Sequence, residues 1–334
     1  MIQYVIRRIL GAIIVVFAVS VVTFLIFQLA PALAHRSPVY YYVGKIPPQP
    51  AQLKLLEHRY GFDLPIWRQY LHYVKGILFG QTVSDGNSTL HCSAPCLGYS
   101  FRLNSSVNSL IGQALPVDLS LAIGASVLWL VGGVTVGTIS GLKPGSIFDR
   151  VGMTAALTAV SLPIFFTGPL LLLIFEYKLK WLPNLAYASL TDDPVQWFKS
   201  LLLPWIALAF LFAALYARLT RANMMETMGE DYIRTARAKG LPRRTVVVRH
   251  GLRAALTPIV TIFGIDIGTL IGTAVITETV FNLHGLGFLL ITAIRQSDLP
   301  IILGVTLIAS IALVVANLIV DILYGIVDPR VSYT

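Results

Sequence analysis

"ILGAIIVVFAVSVVTFLIFQLA", Ile9 to Ala30, decides the class of fold. It carries no charge, and as a helix rising about 1.5 Å per residue it is long enough to cross a hydrocarbon layer of about 30 Å. Arg7 and Arg8 stand just before it. The run is longer than the roughly 7–15 apolar residues of a secretory signal, and no small-residue cleavage pattern follows, so it reads as an uncleaved anchor. The whole chain agrees. Of 334 residues, 56% are hydrophobic and 12% are charged, where a soluble domain carries about 25% charge. Mean hydropathy is +0.75.

Five further stretches qualify as spans, at roughly 116–141, 151–177, 200–217, 257–281 and 301–325. The expected fold is therefore an all-α integral membrane protein with six transmembrane helices. Between the last two spans, Leu286 to Ile294 is apolar but too short to cross, which predicts an interfacial or re-entrant segment. Lys and Arg collect in cytoplasmic loops. Arg7 and Arg8, Lys143 and Arg150, and nine basic residues against three acids over 218–256 all place both termini in the cytoplasm. Residues 31–115 then form an extracytoplasmic insert between helices 1 and 2, with a proline-rich approach at 45–50. The division is 1–30 for the anchor, 31–115 for an outer subdomain and 116–334 for a core with helices 2–6. Trp181 and Trp197 flank an outer loop, as an aromatic belt would. The net charge of +9 lies in these loops and builds no nucleic-acid groove.

Cys92 and Cys96 are the only cysteines. Outside the cell a small-loop disulfide is the natural reading, and two free thiols the alternative. No second pair or well-spaced histidine supports a metal site.

The charged loop reads "EDYIRTARAKGLPRRTVVVRHGLRAALTP", Glu230 to Pro258. Its pattern is a helix, a turn and a second helix. Glu230 and Arg234 make an i, i+4 pair, and Ile233, Ala236 and Gly240 share a face. Gly240 stops the first helix and Pro242 opens the next at its first position, with Pro258 marking the start of span five. Two readings stand level on these residues: another protein docks here, or the loop rests on anionic lipid.

Ionisable residues inside spans default to function. Asp266 lies mid-span among Gly264, Gly268 and Gly272, a spacing that permits close helix packing. It either lines a pathway and attracts a peptide's α-amino group, or makes a structural contact with a neighbouring helix. Glu278 and His284 sit at the outer end of span five, as an outer gate or simply solvated. Asp118 reads as a carboxylate at a helix N-terminus, and Asp321 as a partner for the basic loop. Pro163 and Pro169 should bend span three. No G-x-x-x-x-G-K-[ST] occurs, so the chain has no P-loop nucleotide site and its energy source is another polypeptide. The absence of H-E-x-x-H and G-x-S-x-G argues against an intramembrane enzyme. A stand-alone secondary transporter would need inverted repeats, and none is visible.

"RTARAKG", Arg234 to Gly240, followed by His250, resembles the coupling loop of bacterial ABC importer permeases. "YVIRRILGAIIVVFAVSVVTFLIFQLAPA", "RLTRANMMETMGEDYIRTARAKGL", "TETVFNLHGLG" and "NLIVDILYGIVDPRV" resemble the B-type dipeptide/oligopeptide branch. The resemblance covers nearly everything except about 31–60 and 82–108. It implies a type I importer permease fold in the bacterial inner membrane. It further implies a non-catalytic half-channel for peptides, which transmits ATPase motion through 230–258. Arg234, Thr235, Ala236, Arg237, Ala238, Lys239 and Gly240 would be the helix that seats in the ATPase. The implied partners are a second permease, two ATP-binding subunits that hold the ATP and Mg, an extracytoplasmic peptide-binding protein, the peptide substrate and lipid. Nickel complexes or glutathione are alternative cargoes for the same architecture. Arg234 and Thr235 replace the general motif's glutamate and first alanine, and Arg253 stands at its proline. Asp266 is likewise a departure, since the family often has a neutral amide near that place.

Overall fold

A computed structural model describes residues 2–33, 37, 39, 53–55, 57–58, 62–84, 89–182, 186–270 and 274–327. The stretch at 45–50, Gly272 and the Asp321 side chain lie outside the described residues. Helix dominates. The order is α1 (Ile2–Leu33), α2 (Ile66–Phe79), two short hairpins, α3 (Val107–Leu142) and α4 (Ile147–Ser161). Then come α5 (Ile164–Lys178), α6 (Pro194–Gly229), α7 (Asp231–Ala238), α8 (Arg243–Ala255) and α9 (Thr257–Leu270). The last three are α10 (Val275–Val280), α11 (Leu286–Gln296) and α12 (Leu299–Val327).

Four helices are long and apolar enough to cross a bilayer: α1, α3, α6 and α12. Counting each of two bent pairs as one crossing raises this to six. The α4–α5 pair breaks by 105° where Pro163, at ψ 149°, caps α5 in an extended conformation. That is far more than the loosening expected from the prolines, because an extended residue interrupts the helix rather than kinking it. The α8–α9 pair turns by 50° at Leu256, one residue before the expected boundary at Thr257.

Two compact units are present. One holds Val117–Leu283 and the chain from Ala316 onward. Its core surrounds Trp129 and Tyr216, both fully buried, with Leu121, Leu201 and Ile259. Glycines decide how α3 meets α6. A Cβ built on Gly133 would lie 2.6 Å from Tyr216 Cβ, one on Gly137 2.5 Å from the Ala217 carbonyl, and one on Gly141 2.8 Å from Met224 Cβ. This i, i+4, i+8 stripe lets the two backbones touch, as small residues do at helix interfaces in membranes.

The other unit holds Ile2–Pro116 and His284–Val315. Strands β1 (Gln81–Ser84) and β2 (Thr89–Cys92) pair antiparallel, Gln81 opposite Cys92. A second two-residue pair, β3 (Tyr99–Ser100) with β4 (Ser105–Ser106), leads directly into α3. Val107, Ile111, Leu286, Ile301 and Val305 form this unit's buried core. Helix α11, eleven residues long, is the short apolar segment anticipated between the last two spans.

Two expectations are corrected here. Asp118 is not at a helix start: α3 begins at Val107, so Asp118 lies well inside it and is 2% exposed. The helix runs through Pro116 because residues 107–115, a mixed stretch with Val107, Ile111 and Ala114 in the core, continue it beyond the apolar run that marked the span. Residues 218–229 are not loop but the end of α6, whose 36 residues exceed the bilayer's thickness, at about 54 Å. Ala, Met, Glu and Arg sustain helix there after hydropathy has fallen. The Trp197 indole N–H donates to Ser120 Oγ at 3.0 Å.

Candidate functional site

The basic loop folds into two helices held by a small apolar contact. Ile233 is fully buried and Ala236 and Val246 nearly so, packed with Met228. With these on the inner side, Arg234, Thr235, Arg237, Ala238, Lys239 and Gly240 are left exposed. Helix α7 ends where Gly240 takes φ +74°, the left-handed conformation that glycine adopts at little cost. Its N–H donates to the Arg237 carbonyl at 3.0 Å, and the Lys239 N–H to the Thr235 carbonyl. Gly240 touches nothing with its missing side chain, so it is needed for its backbone angle alone.

Two local details differ from the sequence reading. Glu230 lies outside α7 at ψ 150°, so the i, i+4 geometry does not apply. Arg234 instead contacts Asp231 at 3.3 Å, with both side chains in solvent. Pro242 occupies the N-cap of α8 rather than its first position. The middle of α8, Val246–Leu252, is wound as wider π-type turns. An open cleft of about 410 Å³ lies between this loop and the end of α3. Gly141, Leu142, Met228, Arg237, Leu241, Arg243, Val246 and Val247 line it.

The loop is pinned to the helix before it by residues the sequence reading did not single out. Arg221 of α6 grips Asp149 with two nitrogens, Nε at 2.6 Å and Nη2 at 2.9 Å. Asp149 also accepts from the Gly145 N–H at 2.8 Å, and its own N–H donates to Ser146 Oγ, the N-cap of α4. One bidentate pair thus fixes the turn between α3 and α4 to α6, two turns before Gly229. The Asn223 amide donates to the Ala255 carbonyl at 3.1 Å and ties α6 to the end of α8.

Asp266 is half-buried in α9 and accepts a hydrogen bond from the Tyr216 hydroxyl of α6 at 2.8 Å. Trp129 stacks on Phe212 at 4.7 Å and meets Phe263 edge-on at 6.2 Å. Tyr216 lies beside it at 6.3 Å. Asp266 therefore makes the interhelical contact weighed in the sequence. Among the described residues no cation neutralises it. Gly264 and Gly268 are buried on the same helix.

Glu278, in α10, is fully buried, which removes the solvated reading for it. His284 is exposed, its ring 4.8 Å from Phe288. Cys92 and Cys96 are joined as a disulfide, their Cα atoms 5.6 Å apart. The knot is backed by the Cys96 N–H donating to the Gly76 carbonyl at 3.3 Å. Beyond it Gly98 closes on Pro300 and Gly304 on Leu97 and Val107. The Ser100 hydroxyl donates to the buried Asp298 carboxyl in the turn before α12. Burial pushes that carboxyl above its usual range, while the Ser100 hydroxyl and the Ile301 N–H pull it back. Among the described residues no three metal-binding side chains converge.

Residues 133–333 match the family described as "Binding-protein-dependent transport system inner membrane component". Residues 1–122 match the N-terminal component of the same systems. The dipeptide transport system permease protein DppB of Escherichia coli (strain K12) is 33% identical, aligned over 100% of this chain and 99% of its own length. The di/tripeptide transport system permease protein DppB of Pseudomonas aeruginosa is 34% identical over 100% of this chain and 99% of its own. The glutathione transport system permease protein GsiC of Escherichia coli is 34% identical over the whole of both chains.

Proposed function

This chain belongs to the family of binding-protein-dependent transport system inner membrane components, and on that premise we propose that it forms half the translocation pathway of an ATP-driven peptide importer. It is a multi-pass protein of the bacterial inner membrane. In the proposed arrangement six spans carry both termini into the cytoplasm, and the insert at 31–115 faces outward. A second permease completes the pathway. Two ATP-binding subunits drive it and an extracytoplasmic binding protein delivers the peptide. The chain itself has no catalytic step, and ATP and Mg belong to the ATP-binding subunits.

The observation that carries this reading is the form of α7. Ile233 and Ala236 are spent on backing against α8, and Arg234, Thr235, Arg237, Ala238, Lys239 and Gly240 form a short outer ridge with one exposed ion pair to Asp231. A surface resting on anionic lipid needs apolar residues between its cations to enter the acyl layer, and between Arg234 and Lys239 this ridge exposes only small and polar ones, with Tyr232 and Leu241 at its ends. It is shaped for a protein cleft. Motion of that partner reaches the spans through α6, because the Asn223–Ala255 bond ties α6 to the end of α8 and the Arg221–Asp149 pair ties α6 to the start of α4.

Within the spans, Asp266 is assigned to the pathway as the acceptor for a peptide's α-amino group, with Tyr216 orienting the carboxylate. Glu278 and His284 are assigned, each separately, to the far opening of the path. The test is ATP-dependent uptake of labelled di- and tripeptides, and of glutathione, by the complete transporter in proteoliposomes. Uptake of a peptide that stops when ATP is withheld supports the reading. Uptake that needs only an ion gradient would replace it with a secondary transporter.

A further inference from the structure

Helix α2 was expected to belong to a water-soluble subdomain, yet its surface is not that of one. Its residues fall into three sectors around the axis. Tyr70, Tyr73 and Ile77 lie within about 60° of one another, taking 3.6 residues per turn. This sector faces α1 and the unit's core: the Tyr70 hydroxyl is 2.8 Å from Ser20 Oγ, and its ring meets Phe17 and Phe24. Tyr73 stacks on Phe24 at 5.8 Å. The Gln28 amide donates to Gln69.

The second sector, about 40° wide, holds Trp67, Leu71 and Leu78, which are 58%, 56% and 61% exposed. Beside it, in a third sector about 60° wide, lie Phe79, the last residue of the helix, and Arg68, His72 and Lys75, all exposed. Among the described residues none of these three has an acidic partner. The Arg68 guanidinium is 5.0 Å from the centre of the Trp67 ring.

Where α2 sits tells what meets this face. Phe17, Ser20 and Phe24 belong to the apolar window Ile6–Ile26 of α1, which is almost wholly unburied by protein. Gln28 lies just past that window's end. Helix α2 is thus fastened across the outer half of that window, from Phe17 near its middle to Gln28 just past its end, and runs from the acyl layer toward the head groups. The lipid-facing side of α1, with Val22 and Ile26 exposed, continues past it. A stripe of Trp and Leu bordered by cations is the pattern of a helix lying in the bilayer interface, and the long Arg and Lys stems let their charges rise to phosphate level.

We propose that α2 is a phospholipid-binding interfacial helix. Trp67, Leu71 and Leu78 enter the acyl layer at the face where α1 leaves the membrane, and Arg68 and Lys75 hold the phosphates of anionic head groups. The role anchors the chain that follows, including the Cys92–Cys96 knot, at a fixed height. It does not depend on what the transporter carries.

The test uses the complete transporter in nanodiscs of phosphatidylcholine with and without phosphatidylglycerol. The two cysteines of this chain are tied together, so a Leu71→Cys variant gives one free thiol here, with accessible cysteines removed from the partner subunits. A spin label at that position should be relaxed by oxygen and shielded from an aqueous nickel chelate, while one at His72 meets the chelate. A label at 71 open to the chelate would place the stripe in water. One closed to both agents would place it under another protein. Either result overturns the proposal. In the Arg68→Gln/Lys75→Gln variant the preference for phosphatidylglycerol should fall about thirtyfold, from about fivefold per cation near a charged surface. An unchanged preference overturns the head-group assignment.

Discussion

Two helix pairs in this molecule are joined by opposite means. Along one seam between α3 and α6, α3 offers no side chain: Gly133, Gly137 and Gly141 bring its backbone against Tyr216, Ala217, Thr220 and Met224. Where α2 meets α1, side chains do everything, through two tyrosines, two phenylalanines and a pair of glutamines. A glycine seam has no rotamers to adjust, so it holds one geometry or fails. An aromatic seam tolerates small shifts, because ring contacts weaken gradually with distance. The first suits a helix that must pass on a movement, the second a helix that must only stay put.

The largest expected effect comes from filling the glycine seam. Gly137→Leu should abolish accumulation of the chain in the membrane, and Gly137→Ala should already cost about 1–3 kcal/mol by overpacking. Gly132→Leu, five residues earlier on the same helix with nothing within 4 Å, should accumulate normally. Membrane-fraction immunoblots decide this, and equal loss at both positions would mean the seam is not tight. Next, Arg221→Ala should lower peptide uptake on the order of tenfold while ATP hydrolysis falls less, since contacting residues couple strongly. The exchange Arg221→Asp with Asp149→Arg should restore part of it. Restoration in neither uptake nor yield would reduce the pair to a local fold contact.

A third substitution separates shape from stability. Gly240→Val forces a side chain into the left-handed region at about 1–2 kcal/mol, with open space around it. Thermal stability should change little and uptake should fall sharply. Matching losses in both would mean that the bend merely holds the fold. The smallest effect belongs to the aromatic seam. Tyr70→Phe removes one hydrogen bond to Ser20, worth about 1 kcal/mol, and should leave uptake within a factor of about two. Faster proteolysis of 66–79 would register the loosening.

Much of this was legible in order. Hydropathy located the four long spans, since burial in lipid is a property of single stretches, but it missed that the crossing expected at 257–281 pairs Arg243–Ala255 with Thr257–Leu270. Gly240 and Pro242 marked the turn in the charged loop because backbone angle is written locally. What escaped was either long-range or masked by expectation. The partners Asp149 and Arg221 lie 72 residues apart, and no local pattern joins them. The seam at Gly133, Gly137 and Gly141 shows the same spacing noticed at Gly264 and Gly268. It was passed over because apolar residues between the glycines satisfied the reading of a plain span. The stripe on α2 is present in the sequence at 67, 71 and 78, but fourteen residues are too few to span and so carry no membrane signal by length.

If the exposed ridge of α7 seats in an ATP-binding subunit, a photo-crosslinker at Ala238 in native membranes will reach that subunit. One dominant adduct with an ATP-binding protein is expected, lost when Gly240 is replaced by valine. Adducts with lipid alone, or a protein adduct indifferent to Gly240, would contradict it.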